Sequence, residues 1–208
     1  MAARYQSTSE ETMQVNLKYL QSLAKHIAPK SDIRYYLNGV LLEVTAAGRF
    51  YVATDGHKLV AIREARQEGD TIGEWIIPRD VILGIKIQKA GRNPVEHAEL
   101  EIDGAKAKLD YCGTGAVFAF VDGKFPDWRR VVPQTLSGEL AQFNLELLSR
   151  IDDIRKAFGR NACDATIHHN GKSCAQITGL HPDALMLVMP CRSNDAQGDA
   201  PVPSWARM

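Results

Sequence analysis

The sequence predicts an α+β fold made of three successive modules, each a strand, a helix and three further strands. Three observations predict it. Apolar residues recur at helical spacing in three places, and each helical stretch is followed by short runs rich in strand formers. Turn dipeptides split those runs, among them Asn38-Gly39, Asp55-Gly56, Asp103-Gly104 and Asn170-Gly171. Pro78 and Asn144 mark two of the helix starts and lie 66 residues apart, so the pattern is a long-period repeat. A helix on one face of a small sheet cannot bury that face alone, so modules must pair. Two modules make a closed two-layer body, and the third is expected to have no partner within the chain.

Residues 1–10 are polar and expected to be a flexible terminus. Val15, Leu17, Leu20, Leu23, Ala24 and Ile27 form the apolar stripe of the first helix, with Asn16 or Gln14 near its start and Pro29 past its end. Residues 33–44 read as strand with an Asn-Gly turn in the middle. Residues 50–53 and 59–63 read as a hairpin around Asp55-Gly56. Trp75-Ile76-Ile77 starts the second module, and Pro78 opens its helix. Val81, Ile82, Ile85 and Ile87 form the apolar side of that helix, which is expected to end between Gly91 and Pro94. Residues 99–102, 105–111 and 116–120 are its strands. The third module starts with a strand at 141–143. Asn144 is the N-cap of a helix whose apolar side is Leu145, Leu148, Ile151, Ile154 and Phe158. Strands at 165–169, 173–178 and 184–189 follow. The tail 193–208 is polar, proline-bearing and expected to be flexible. The divisions expected are therefore 11–133, a complete two-module body, and 134–192, a single module.

The 208 residues suffice for one or two domains with real cores. Lys plus Arg equals Asp plus Glu, 25 each. That excludes an all-over cationic coat but not a locally basic surface. The cysteines at 112, 163, 174 and 191 form no Cys-x-x-Cys pair, and no metal or cofactor is expected. With no leader-like or membrane-length apolar segment, the reading is a cytoplasmic protein with reduced thiols.

The stretch 121–133, Val-Asp-Gly-Lys-Phe-Pro-Asp-Trp-Arg-Arg-Val-Val-Pro, reads as a stiff extended connector carrying an aromatic plate and two guanidinium groups. It suits a strap between packed bodies or the wall of a groove. A catalytic alternative is a small hydrolase using His57 and Asp55, or a centre of His168, His169 and Cys163. Turn geometry explains Asp55-Gly56-His57 better. Two adjacent histidines on a strand point to opposite faces. No set of nucleophile, base and orienting group is present, so an enzyme is not expected.

Five stretches together resemble the bacterial DNA polymerase III beta sliding clamp family. They are 32–42 (Asp-Ile-Arg-Tyr-Tyr-Leu-Asn-Gly-Val-Leu-Leu), 53–59 (Ala-Thr-Asp-Gly-His-Lys-Leu), 77–79 (Ile-Pro-Arg), 121–133 and 188–192 (Val-Met-Pro-Cys-Arg). The resemblance implies the DNA-clamp fold, with 12–133 similar to the whole middle domain and about 137–192 to the second half of the last. It implies a pocket for the short apolar peptide motifs of DNA polymerase and other replication and repair proteins. The matching positions are Leu37, Thr54, Gly56, His57, Lys58, Leu59, Pro126, Arg130, Val131, Met189, Pro190, Cys191 and Arg192. Leu37, Leu59, Val131 and Met189 would line an apolar cleft. Thr54, Arg130 and Arg192 would take peptide carbonyls or an acidic flank. Cys191 and Cys174 depart from the family pattern near that site. The resemblance also implies sequence-independent contact with the double-stranded DNA backbone. Lys30, Arg34, Tyr35 and Tyr36 fall in a loop similar to a DNA-contacting one, and Arg79, Lys86, Lys89, Arg155 and Lys156 on the helices are further candidates. Function is expected to be that of a miniature processivity clamp, or of a non-encircling decoy that competes for clamp partners. Self-association as a homodimer or higher is expected to complete the third module.

Overall fold

A computed structural model of the chain describes residues 11–87, 96–158 and 165–191. Lys89, Cys163, Arg192 and both expected flexible termini lie outside those residues. The second helix, expected to run to Gly91–Pro94, stops at Gly84, where Ile85 turns extended, so Ile85, Lys86 and Ile87 are not helical.

The first module opens with β1 (Glu11–Asn16) and α1 (Leu17–His26). The helix stripe was expected to begin at Val15, but Val15 lies in β1. Asn16 ends the strand and caps the helix, its Oδ1 accepting the Tyr19 N–H at 3.1 Å. Residues 33–37 form no strand. A 3-10 turn, Tyr35–Leu37, occupies them, and β2 (Gly39–Thr45) begins only afterwards. Asn38-Gly39 is not a hairpin turn, because the Asn38 side chain instead braces the preceding loop. Its Oδ1 accepts the Asp32 N–H at 2.8 Å and its Nδ2 donates to the Asp32 carbonyl at 3.0 Å. β3 (Gly48–Thr54) and β4 (Lys58–Glu64) form the expected Asp-Gly hairpin.

The second module runs β5 (Gly73–Pro78), α2 (Arg79–Gly84), β6 (His97–Asp103), β7 (Lys106–Tyr111) and β8 (Thr114–Ala119). The strap 121–132 contains a 3-10 turn at Trp128–Val131. The third module has α3 (Leu145–Ala157), capped by Asn144 Oδ1 accepting the Glu146 N–H at 2.8 Å. β9 (Thr166–His168), β10 (Ala175–Thr178) and β11 (Ala184–Val188) follow.

The strands make two antiparallel sheets. One has the order β1-β6-β7-β8, the other β5-β2-β3-β4-β11-β10-β9. The pre-helix strand of each of the first two modules thus pairs with the other module's sheet: β1 joins β6 and β5 joins β2. This exchange makes the two modules one body. The larger of two apolar clusters lies beneath the three helices, built from residues such as Leu17, Leu20, Leu23, Val40, Leu42, Ile82, Leu100, Leu109 and Ile154.

The third module does find a partner within the chain, contrary to expectation. β11 pairs antiparallel with β4, from Ala184↔Ile62 to Val188↔Lys58, and α3 packs on α1. The sequence hid this because β4 is a strand of an already complete hairpin. Its outer edge is a property of topology, not of composition. The strand expected at 141–143 does not form. Ala141 N–H donates to His169 Nδ1 at 3.1 Å and the Gln142 carbonyl accepts the Cys191 N–H at 2.8 Å, so the segment crosses the end of its own module.

Candidate functional site

Strands β2, β3 and β4 are buried on both faces. Leu41, Val52, Leu59, Ala61, Ile76 and Leu187 turn away from the helices and form a second apolar cluster. The strap covers it. Phe125 and Trp128 are buried in that cluster, so Trp128 tucks under the connector instead of walling a groove by itself. Glu43 anchors the strap from β2. Its carboxylate accepts from Trp128 Nε1 at 3.4 Å and from Arg129 Nη1 at 2.8 Å. The Arg129 guanidinium stacks over the Trp128 and Phe50 rings, 4.2 and 4.9 Å from their centroids.

Between the strap and the third module, beside their contact, a cleft of about 240 Å³ remains open. It lies over the seam between β4 and β11 and has three walls. Leu37, Thr54, Gly56, His57, Lys58 and Leu59 come from the first module, Pro126, Asp127, Trp128 and Val131 from the strap, and Cys174, Leu187, Val188 and Met189 from the third module. Leu59 and Leu187 are opposed across the seam and form the floor. Val131 and Met189 are partly exposed at the rim.

The β3–β4 turn is fixed by its own side chains. Asp55 Oδ1 accepts the N–H groups of His57 and Lys58, both at 2.9 Å, and Oδ2 pairs with Lys58 Nζ. Burial acts to raise the Asp55 carboxyl, but these donors outweigh it and hold the group below the ordinary carboxylate range. Asp55 is thereby committed to the turn. Gly56 has φ +89°, and a Cβ there would stand 2.8 Å from Arg34 Nη1. Thr54 cannot offer the free hydroxyl expected of it. Its Oγ1 donates to the Lys58 carbonyl at 2.8 Å and accepts the Gly56 N–H at 3.0 Å.

Of the other residues expected at the pocket, Arg130 is exposed on the strap and does not line the cleft, and neither do Pro190 and Cys191. The Cys191 amide ties this end of the third module to Gln142. Arg34 and Tyr36, expected in a DNA-contacting loop, line the cleft. Arg34 is held by Asp32 at 2.7 Å and donates to the Asp55 carbonyl at 3.0 Å. The Arg34 hydrogen bonds hold the Asp32 carboxyl down at about 2. Cys174, whose Sγ donates to the Val131 carbonyl at 3.0 Å, stitches the third module to the strap. Burial raises its thiol pKa. Leu187, Val188 and Asp127 were not singled out from the sequence. The register of β11 against β4 puts the first two there, and no local signal announces it.

Two of the basic candidates are committed elsewhere. Arg79 Nε donates to the Ala24 carbonyl at 2.9 Å, satisfying the C-terminal turn of α1. Arg155 is buried, with Nε on Asp152 Oδ1. Lys30, Lys86 and Lys156 are exposed, as is Tyr35, although Lys156 pairs with Asp152 at 2.9 Å. His168 bonds Thr178 Oγ1 at 2.8 Å, whereas His169 stacks near Phe143 and accepts from Ala141. The two imidazoles have separate surroundings. Among the described residues no group of three or more His, Cys, Asp or Glu gathers where an ion could bind. No helix among them is long and apolar enough to cross a membrane.

Two modules that exchange their first strands, helices on one side, sheets continuing across a seam and a cleft over that seam together define a sliding-clamp architecture. The family model of the DNA polymerase III beta subunit, central domain, matches residues 14–127. The chain is 33% identical over 151 residues to the beta sliding clamp of Vibrio cholerae, a match covering 72% of this chain and 38% of that one. It superposes on the crystal structure of the Pseudomonas aeruginosa DNA polymerase III subunit beta with a TM-score of 0.68 at 21% identity, over 93% of this chain and 69% of that one. A Bartonella birtlesii sliding clamp bound to griselimycin follows at 0.67 and 18%, over 88% and 66%. The chain belongs to the bacterial DNA polymerase III beta sliding clamp family. It spans about two fifths of the length of the curated relatives it matches, 38% and 41% for the first two.

Proposed function

We propose that this chain binds the short clamp-binding peptides of DNA polymerase and other replication and repair proteins in the seam cleft, and acts as a miniature clamp on duplex DNA. One observation carries the reading. The cleft is walled by two modules and a strap, is apolar on its floor, and is open. At about 30 Å³ per water it holds roughly eight waters. Displacing them with two apolar side chains would contribute about 1.5–3 kcal/mol each. Arg34 at the rim suits an acidic or carbonyl-bearing flank. Exposed Lys30, Lys86 and Lys156 supply salt-dependent contact with phosphates, without base reading.

The clamp reading includes self-association through the third module. In the first two modules the pre-helix strand is accepted by the other module's sheet. Segment 141–143, the corresponding stretch of the third, has no such sheet among the described residues, and β9 has a free edge. A second copy supplies both, each 141–143 segment adding to the other's β9 about a two-fold axis.

The test is fluorescence anisotropy of a labelled peptide bearing adjacent Leu and Phe side chains. Val131→Glu with Met189→Ala, both at exposed rim positions, should weaken binding about 30-fold or more, as loss of central apolar contacts does. Unchanged affinity would sink the assignment. Retention on closed circular DNA, lost on linearisation, supports encirclement. Peptide binding without such retention instead describes the competing accessory.

A further inference from the structure

We infer that β8 is a self-pairing edge, and that the outer side of the four-stranded sheet takes the β8 strand of a second copy of this chain, antiparallel and about a two-fold axis. The inference concerns a surface remote from the cleft and does not rest on peptide binding.

The internal repeat supplies the template. The three-strand runs β2-β3-β4, β6-β7-β8 and β9-β10-β11 correspond, so β4, β8 and β11 are equivalent last strands. Among the described residues, two of these three-strand runs meet edge to edge in one place, and there the last strand of one meets the last strand of the other. β4 and β11 pair antiparallel over five residues, with α1 and α3 in contact beside them. An antiparallel pair of equivalent strands is locally two-fold symmetric. The molecule therefore shows how this edge is satisfied, namely by its own kind.

β8 is the remaining last strand. It bonds β7 on one side and, among the described residues, nothing on the other. An open edge is ordinarily guarded by lysine, proline, a bulge or extreme shortness. β8 has none of these. Its six residues, Thr-Gly-Ala-Val-Phe-Ala, carry no charge and no proline, and its pairing with β7 runs without a bulge. Val117 is 75% exposed, whereas its neighbour Phe118 is buried against the core. A neutral strand meets its own copy without like-charge repulsion.

Geometry also sets the register. Opposed residues in a sheet must share a face, so a two-fold axis passes through a residue and not between two. Either Val117 or Ala116 is then opposite itself, and each choice pairs five residues of the six, the length of the β4–β11 seam. The competing occupant, β9 of another copy, offers three residues and would join a last strand to a first one. Joined with the third-module pairing proposed above, each chain has two different two-fold contacts.

The experiment is solution mass by light scattering of the 208-residue chain at micromolar concentration. Val117→Lys and Val117→Glu are measured separately and mixed in equal amounts. In a two-fold contact each substituted residue meets its own copy or, with Ala116 on the axis, lies two positions from it along the opposing strand. Each variant alone should show half the wild-type mass, and the mixture should recover it. Val117 is solvent-exposed, so melting should be unchanged. If it is not, Val117→Arg and Val117→Asp replace the pair. A wild type at the single-chain mass of 23.0 kDa overturns the inference. So does a wild-type mass that neither substitution changes, or a mixture that stays dissociated, as a contact of β8 with a different strand would. Peptide affinity measured on the same samples should not change. Its loss in the wild type would refute the binding proposal alone and leave this one standing.

Discussion

Replacing Asp70 with Asn should cost this protein about 3 kcal/mol of stability. The Arg49 side chain on β3 is 0% exposed. Its Nε and Nη2 donate to the two oxygens of Asp70, and its Nη1 lies 3.3 Å from Glu64 Oε2. The same Glu64 oxygen accepts from Tyr51 Oη at 2.9 Å, and Tyr51 Oη in turn accepts the Asn16 N–H at 3.0 Å. The network thus joins the cap of α1 to β3, β4 and the 67–70 turn. Removing one partner of a buried pair costs about 3–5 kcal/mol, because the other charge is left desolvated and unpaired. Glu64 remains beside Arg49, so the lower end applies. At about 2–4 °C per kcal/mol for a chain of this size, the melting point should fall by about 6–12 °C. Burial acts to raise the Asp70 carboxyl, but Arg49 and the Gln67 N–H outweigh it and hold it below its ordinary value. A depressed carboxylate contributes stability that is full above its unfolded pKa and is lost as pH falls through its folded one. The Asn variant should therefore lose stability at pH 7 and show a weaker dependence below pH 4. Replacing both residues with apolar ones, Arg49→Met with Asp70→Leu, should recover part of the loss. A shift under about 2 °C for Asp70→Asn would refute the reasoning.

Two further outcomes follow from contacts of the seam and strap. Burial pushes the His26 imidazole below its ordinary pKa despite Asp153 on α3, whose Oδ2 is 3.5 Å from Nδ1. The folded chain then binds fewer protons than the unfolded one, so stability is full above about pH 6.5 and declines as pH falls below it. Asp153→Asn removes the compensating charge and should steepen that decline, read by urea midpoints at pH 5 and 7.5. An identical pH profile would contradict the account. Glu43→Ala frees Trp128 and Arg129, and should loosen the strap and weaken peptide binding about tenfold while near-native circular dichroism is retained. Undiminished affinity would show that the strap holds its place without Glu43.

The repeat, the three helices and their caps at Asn16 and Asn144 were legible because helix periodicity and capping are local. The cleft was legible through a family resemblance of its loops, and physical chemistry explains where that reading slipped. Thr54 and Arg155 are polar residues bonded inside the protein, Arg79 gives its Nε to a helix-end carbonyl, and nothing in their immediate sequence shows the partner. Tyr35–Leu37 reads as strand on composition, yet Asn38 gives the backbone an alternative through its side chain. β1 was missed because six residues of mixed polarity do not look like a strand until β6 is beside them. Leu187 and Val188 reach the cleft only through pairing with residues more than a hundred positions away.

That pairing makes the cleft and the fold one problem. Along the seam, Leu59 opposes Leu187 on the strap side, and Val60 opposes Met186 on the helix side. A slip of β11 by one residue would turn Met186 and Val188 outward and Leu187 into the core. The floor of the cleft would vanish in the same step that unpacked α3 from α1. The cleft is therefore present only in chains whose third module is docked in the correct register. By linkage, a ligand that fills it must stabilise the seam, by about 2.7 kcal/mol at a hundredfold excess over its dissociation constant. Ligand-induced protection should accordingly reach β11 and α3, which a ligand held by the strap alone would not produce.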